Sequence, residues 1–270
     1  MAARKTILVF DSGLGGLTVY REIAAVRPDA DFIYVADDAA FPYGRLPEQA
    51  LISRVVNLIG QQIELHRPDL IVIACNTAST IVLPDLRKTF ALPFVGTVPA
   101  IKPACAGSLT RRVSVLGTDA TVQREYTRTL IRDYAQDCEV TLVGSAKLAA
   151  YAEAELNGTA AEDTAISAEI AACFRDDGKR TDTIVLACTH YPLLLARLRR
   201  LAPWPVNFLD PAPAIARRVV DLLGPAPAVP GTGTDAGTTR AVFTSGQAPE
   251  KALAGFGIRS SAPAASEPLN

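Results

Sequence analysis

The chain has 270 residues, 49% of them apolar and 20% charged, enough to bury one large core or two smaller ones without disulfide or metal staples. The 27 basic residues against 28 acidic ones leave a net charge of −1, which excludes a protein working by bulk positive charge on nucleic acid. No apolar run reaches the roughly 18–20 residues of a membrane span, and the N-terminus passes from Arg4-Lys5 straight into a short strand, unlike a signal peptide. A cytoplasmic protein is expected, with neither nucleic acid nor membrane as a partner. The five cysteines, Cys75, Cys105, Cys138, Cys173 and Cys188, are odd in number, widely spaced and free of CxxC pairs. With only His66 and His190 as histidines, a disulfide framework, a zinc site and a histidine-rich metal site are all excluded.

In chain order, Ile7–Phe10 reads as a buried strand, followed by a glycine loop and a helix from Leu17. Phe32–Ala36 is a second strand, Ile52–His66 a helix and Leu70–Ala74 a third strand. Ile81–Phe90 has helical spacing and Phe94–Gly96 is a short strand. The pattern then restarts with a strand at Val113–Leu116, a helix near Val122–Tyr134 and a strand at Val140–Val143. A helix at Thr164–Phe174, a strand at Ile184–Ala187 and a helix at Leu193–Leu201 complete it. Fully apolar strands alternating with helices predict parallel sheets covered on both faces, an α/β class of doubly wound type. From Gly224 on, Pro, Ala, Gly and Thr dominate, broken by one strand-like piece at Ala241–Thr244, and residues 259–270 have the composition of a disordered tail.

A weak internal repeat carries the functional reading. IVIACNTAS at Ile71–Ser79 matches IVLACTHYP at Ile184–Pro192, and each follows another strand-and-loop unit, VFDSGLGG at Val9–Gly16 and VLGTDAT at Val115–Thr121. Asp11 lies 64 residues before Cys75, and Thr118 lies 70 before Cys188. The chain thus reads as two related halves, each placing one cysteine at the carboxyl end of a strand, where open α/β sheets bind ligands. At a strand-to-helix junction, unpaired helix N–H groups are expected to lower a thiol's pKa. Cys105, Cys138 and Cys173, in helical or surface contexts, read as small buried hydrophobes.

Two equivalent cysteines facing one cleft fit a racemase. Such an enzyme removes a proton from one face of a carbon and returns one to the other, so it needs two acid/base groups of similar strength on opposite sides. A cysteine hydrolase needs one thiol, an orienting base and an oxyanion hole, and leaves the second cysteine unexplained. The loop Asp11-Ser12-Gly13-Leu14-Gly15-Gly16 lacks both the GxGxxG and the GK[ST] patterns. It reads either as a tight turn at a helix start or as exposed N–H groups which, with Ser12, hold an anion while Asp11 meets an ammonium or helps a thiol. Apart from Arg45, no basic residue stands near the strand-end motifs, so substrate carboxylates would be held by Ser12, Asn76, Thr77, Thr118, Thr121 and Thr189. That donor set suits a small zwitterion. His190, two residues after Cys188, reads as functional. His66 reads as a surface helix end, Tyr43 as a cleft wall, and Asp37 and Asp38 as solvated loop residues without a site role.

At these residues the sequence resembles the glutamate racemases. The matching motifs are Asp11–Gly16, Pro42-Tyr43-Gly44, Cys75-Asn76-Thr77-Ala78, Gly117-Thr118 with Ala120-Thr121, and Cys188-Thr189-His190-Tyr191-Pro192, in the family order over roughly residues 5–245. The resemblance implies interconversion of L- and D-glutamate with no cofactor and no metal, supplying D-glutamate for peptidoglycan synthesis. It implies that Cys75 takes the α-proton of D-glutamate with help from Asp11, and Cys188 that of L-glutamate with help from His190. Pro42, Tyr43 and Gly44 join the substrate-binding set. A further family glutamate maps to Glu153 in SAKLAAYAEAELNG, with Glu155 as a rival. DDAAFPYG departs from the family's more usual DTARxPYG, which bears on the cleft rim or an interface. The family fold implies one domain at 1–98 plus 210–258 and a second at 99–209, the site in the cleft between them, and often a homodimer. Some relatives are switched by a cell-wall precursor through an N-terminal extension; with about six residues before the first strand, none is expected here. Three other readings stand at this stage: a racemase of aspartate or another acidic amino acid, a non-catalytic binding relative, and a cysteine amidase.

Overall fold

In the computed structural model, residues 4–227 and 237–258 are described. Among the described residues, nine strands form two parallel sheets: β1 (Thr6–Asp11), β2 (Asp31–Ala36), β3 (Leu70–Ile73), β4 (Phe94–Gly96), β5 (Arg112–Gly117), β6 (Glu139–Gly144), β7 (Thr183–Ala187), β8 (Asn207–Leu209) and β9 (Thr239–Phe243). The first sheet runs β4-β3-β1-β2-β9 and the second β6-β5-β7-β8. Every pairing is parallel. The repeat seen in the sequence returns as topology. Equating β1 with β5 and β3 with β7 makes β4-β3-β1-β2 the same order as β8-β7-β5-β6.

Both faces of each sheet are buried, which is why the strands are almost uninterrupted apolar runs. In β1, Ile7 and Val9 join one core layer and Leu8 and Phe10 the other. In the second sheet, Leu116, Ile184 and Leu186 face one layer and Val113, Val115, Val185 and Ala187 the opposite one. Helices cover all four faces, among them Leu17–Val26, Glu48–His66, Ile101–Gly107 and Ala212–Leu223. The last of these packs against Leu17–Val26.

Several helices differ from their expected extents. The expected Ile81–Phe90 helix is two pieces, Asn76–Ile81 and Leu83–Thr89, the second opening on Pro84, whose missing N–H is tolerated in a first turn. The expected Val122–Tyr134 helix breaks at Arg124, whose backbone is extended, leaving Asp119–Gln123 and Glu125–Tyr134. The Thr164–Phe174 segment is a helix over Asp163–Ile170 finished by a tight turn, and Leu193–Leu201 starts with a tight turn at Tyr191–Leu194. Ile101–Gly107, Leu148–Leu156, Asn207–Leu209, Ala212–Leu223 and Glu250–Ala254 were not expected as elements. Ala212–Leu223 was legible, since Ala212, Ile215, Ala216 and Val219 are buried at helical spacing. The strand-like piece at Ala241–Thr244 is β9, beside β2. The tail expected at 259–270 lies outside the described residues.

Candidate active site between the two sheets

The two halves of the repeat meet over a pocket of about 300 Å³. Each contributes the loops after two adjacent strands, β1 and β3 from one sheet and β5 and β7 from the other. Of the residues expected from sequence, Ser12, Pro42, Tyr43, Gly44, Cys75, Asn76, Thr77, Thr118, Cys188, Thr189 and His190 line this pocket. Asp11, Thr121 and Glu153 stand one layer behind it. Phe41 and Ala149 also line it and were not anticipated. Phe41 stands in the PYG segment that departs from the usual family pattern, and its ring tilts onto the His190 ring with centroids 5.2 Å apart.

Cys188 ends its strand facing a relay. Its Sγ lies 3.8 Å from His190 Nδ1, and His190 Nε2 lies 2.8 Å from Glu153 Oε1. Nε2–H donates to Glu153, and Nδ1 faces the Cys188 sulfur. Burial of the imidazole works against its charge, but hydrogen bonds with Cys188 and Glu153 outweigh burial and raise the His190 pKa well above its ordinary value. Glu155, the rival, points elsewhere and pairs with Arg197 at 2.7 Å.

Cys75 lies on the other side, at the N-terminal end of the helix Asn76–Ile81, with Ser12 Oγ 3.6 Å from its Sγ. The expectation of a lowered thiol pKa fails here. The hydrogen bonds from the Ala78 N–H and the Ser12 hydroxyl favour the thiolate, but full burial and the nearby Asp11 charge outweigh them, so the thiol is pushed up. Cys75 therefore rests as a neutral thiol. Asp11 is itself wholly buried, and desolvation raises its carboxyl above the ordinary carboxylate value. One oxygen accepts the Gly16 N–H at 2.6 Å, and the other has no partner.

Of the two readings of the glycine loop, the geometry favours the tight turn over the anion cradle. Its N–H groups are occupied by the protein: Leu14 N–H donates to Glu153 Oε1 at 2.7 Å and Gly16 N–H to Asp11. The Gly15 N–H lies 3.2 Å from His190 Nε2, which leaves the imidazole resting on the loop. A Cβ on Gly15 would stand 2.5 Å from His190 Nδ1 and 2.7 Å from the His190 backbone nitrogen, and one on Gly13 would stand 2.1 Å from Glu153 Oε1. Gly13 and Gly15 are glycine because Glu153 and His190 of the other half pack directly on their backbone.

The polar lining is otherwise open to a ligand. Asn76 is buried at the pocket wall, and neither amide atom of its side chain has a partner. Thr77 Oγ1 meets Thr118 Oγ1 at 3.1 Å across the two halves, and Thr118 meets Thr121 at 2.9 Å. Behind Tyr43 lies a group of contacts that the sequence did not reveal. Asp37 is fully buried rather than solvated, and accepts bonds from Arg54 Nε and Nη2 (both 2.6 Å), the Tyr43 hydroxyl (2.5 Å) and Thr244 Oγ1 (2.8 Å). Burial alone pushes this carboxyl up, but the hydrogen bonds from Arg54, Tyr43 and Thr244 hold it below its ordinary value. Asp38 likewise accepts from the Ser245 hydroxyl and N–H. Neither aspartate lines the pocket, and among the described residues no His/Cys/Asp/Glu cluster fits a metal ion.

Comparison with known proteins agrees with this geometry. The sequence profile of the family described as Asp/Glu/Hydantoin racemase matches residues 14–219. A protein of Brucella canis named glutamate racemase is 57% identical over 225 residues, 83% of this chain and 81% of its own length. The crystal structure of Escherichia coli glutamate racemase in complex with L-glutamate and the activator UDP-MurNAc-Ala superposes with a TM-score of 0.84 at 39% identity, covering 96% of this chain and 97% of that one. The glutamate racemase isoform RacE1 of Bacillus anthracis shares the fold, with a TM-score of 0.79 at 24% identity over 96% of this chain and 97% of that one. The chain belongs to the Asp/Glu/Hydantoin racemase family, within its glutamate racemase group.

Proposed function

We propose that the protein interconverts L- and D-glutamate by moving protons through two opposed thiols, with no cofactor, and so supplies D-glutamate for peptidoglycan synthesis in the cytoplasm. The observation that carries this reading is the placement of Cys75 and Cys188 in one pocket at equivalent positions of the two repeats. The substrate names of the relatives, and the L-glutamate bound in the Escherichia coli structure, favour glutamate over aspartate.

In the L-to-D direction the Cys188 proton already rests on His190 Nδ1, and Glu153 supports the charged ring from its far side. The thiolate then takes the α-proton, and the neutral Cys75 thiol returns one to the opposite face. Its raised pKa suits it to hold that proton until the carbanion forms. In the D-to-L direction the roles exchange, and Asp11, with its free carboxyl oxygen, is the acceptor nearest in chemistry to the Cys75 proton. Asn76, Thr77, Thr118 and Thr189 supply the donors and acceptors for a zwitterion. Phe41 packs its ring against the imidazole at the pocket wall.

The test is solvent exchange. Purified protein is incubated in D₂O with L-glutamate, and separately with L-aspartate, without added cofactor, while the α-proton signal and optical rotation are followed. Deuterium entering glutamate as rotation falls to zero is the expected result. Exchange with aspartate alone overturns the substrate, and exchange with neither overturns the activity. Cys75→Ser and Cys188→Ser are each expected to lower racemisation by about 10²–10⁴-fold, the usual contribution of a positioned acid/base group. Full activity in either variant overturns the two-thiol mechanism.

A further inference from the structure

Two cysteines outside the candidate active site also meet. Cys105 lies in the helix Ile101–Gly107, which follows the crossover from the first sheet, and Cys138 lies in the turn before β6. Cys138 Sγ is 3.6 Å from the Cys105 backbone oxygen. Burial, with Cys138 as the neighbouring thiol, pushes the Cys105 thiol up to about 12. Cys105 is buried, whereas Cys138 is half-exposed. Both line a surface depression of about 610 Å³, with Lys102 and Arg111 at its edge, so a small oxidant reaches the pair from solvent. Arg111 fixes the Cys105 end by donating to its carbonyl at 3.0 Å. Cys173, by contrast, is wholly buried.

We propose that Cys105 and Cys138 form a reversible disulfide site that takes hydroperoxide-class oxidants. Cys138, the exposed member, attacks a peroxide oxygen as its thiolate; the O–O bond breaks, the leaving hydroxide takes up a proton to become water, and Cys138 becomes a sulfenic acid. Cys105 then loses its proton and attacks the Cys138 sulfur, breaking the S–O bond and releasing a second water. The two sulfurs give up one electron each, and the peroxide accepts both. Burial of Cys105 keeps it from meeting the oxidant first and assigns it the resolving step. The bond closes the segment 106–137, which contains β5 and the pocket residue Thr118, so oxidation ties down a stretch that reaches the candidate active site.

The site is tested in the full chain carrying Cys75→Ser and Cys188→Ser, which leaves three of the five cysteines. After one equivalent of hydrogen peroxide, thiols are titrated in denaturant and peptides are mapped. Titratable thiols are expected to fall from three to one, with residues 105 and 138 in one cross-linked peptide pair that dithiothreitol separates. Adding Cys138→Ser to that background is expected to leave both remaining thiols reduced. Three thiols left in the parent, a sulfinic acid on Cys138 without a cross-link, or oxidation of Cys105 in the Cys138→Ser protein would each overturn the proposal.

Discussion

Glu153→Gln tests the relay at its least substituted point. Gln is nearly isosteric, so its Oε1 still accepts from His190 Nε2–H over the 2.8 Å contact and from Leu14 N–H over the 2.7 Å contact, and only the charge is lost. A hydrogen bond to a charged group contributes about 1.5–3 kcal/mol and a neutral one about 0.5–1.5. Their difference, about 1–2 kcal/mol, corresponds to a loss of about 5–30-fold in kcat/KM. Because L- and D-glutamate have equal free energies in water, kcat/KM must fall by the same factor in both directions. The carboxylate is also one cause of the raised His190 pKa, so the limb of the pH profile that reports His190 is expected to move to lower pH. The assay is initial-rate circular dichroism with each enantiomer across pH. Glu155→Gln serves as the control: it breaks only the pair with Arg197 and is expected to leave kcat/KM unchanged. Wild-type kcat/KM in Glu153→Gln, or an equal loss in Glu155→Gln, would refute the relay.

Gly15→Ala is expected to lower kcat/KM more than 100-fold while circular dichroism reports an intact fold, because its Cβ meets the His190 backbone at 2.7 Å and forces the two halves apart. A variant with parental rates would mean that the loop and His190 do not meet during turnover. Asp37→Asn is expected to lose about 2–3 kcal/mol of stability at pH 7, since its partners include a charged guanidinium. The Asp37 pKa is lowered in the folded state, so this stabilisation is complete above the unfolded carboxylate value of about 4 and disappears as pH falls from there through the folded one. Urea titrations of both proteins at pH 7 and pH 3 should therefore show a narrower gap at the acid end; a constant gap would contradict the charge assignment. Asp11→Asn removes a charge that raises the Cys75 thiol, so alkylation of Cys75 by iodoacetamide at pH 8 is expected to speed up even as racemisation slows. Unchanged alkylation would show that burial alone restrains the thiol.

Most of the strands and the candidate site residues could be read from local pattern. Fully apolar runs such as Leu8–Phe10 and Ile184–Leu186 announce strands buried on both faces, and the Ala-Cys repeat marks matching strand ends. Parallel α/β sheets gather such ends at one rim, so Cys75 and Cys188 were candidates before any coordinate was known. Low amphipathicity hid Leu148–Leu156, whose alanines carry little periodic contrast.

What the sequence determined by itself is which chemistry-bearing residues stand at strand ends, because that depends on short-range periodicity and on motifs within a few positions of each other. Tertiary structure alone decided what they face. Glu153 and Glu155 are two positions apart, hence about 200° apart around a helix, and only the docking of that helix turns Glu153 toward His190 and Glu155 toward Arg197. The same docking fills the Leu14 N–H with a side chain from 139 residues away and seats His190 on Gly15, where the loop alone read either as a tight turn or as a ligand cradle. Burial decided the rest: it raised the Cys75 thiol against its helix position and enclosed Asp37 among four hydrogen bonds. Desolvation depends on everything packed around a group, most of it distant in sequence, and no local pattern encodes it.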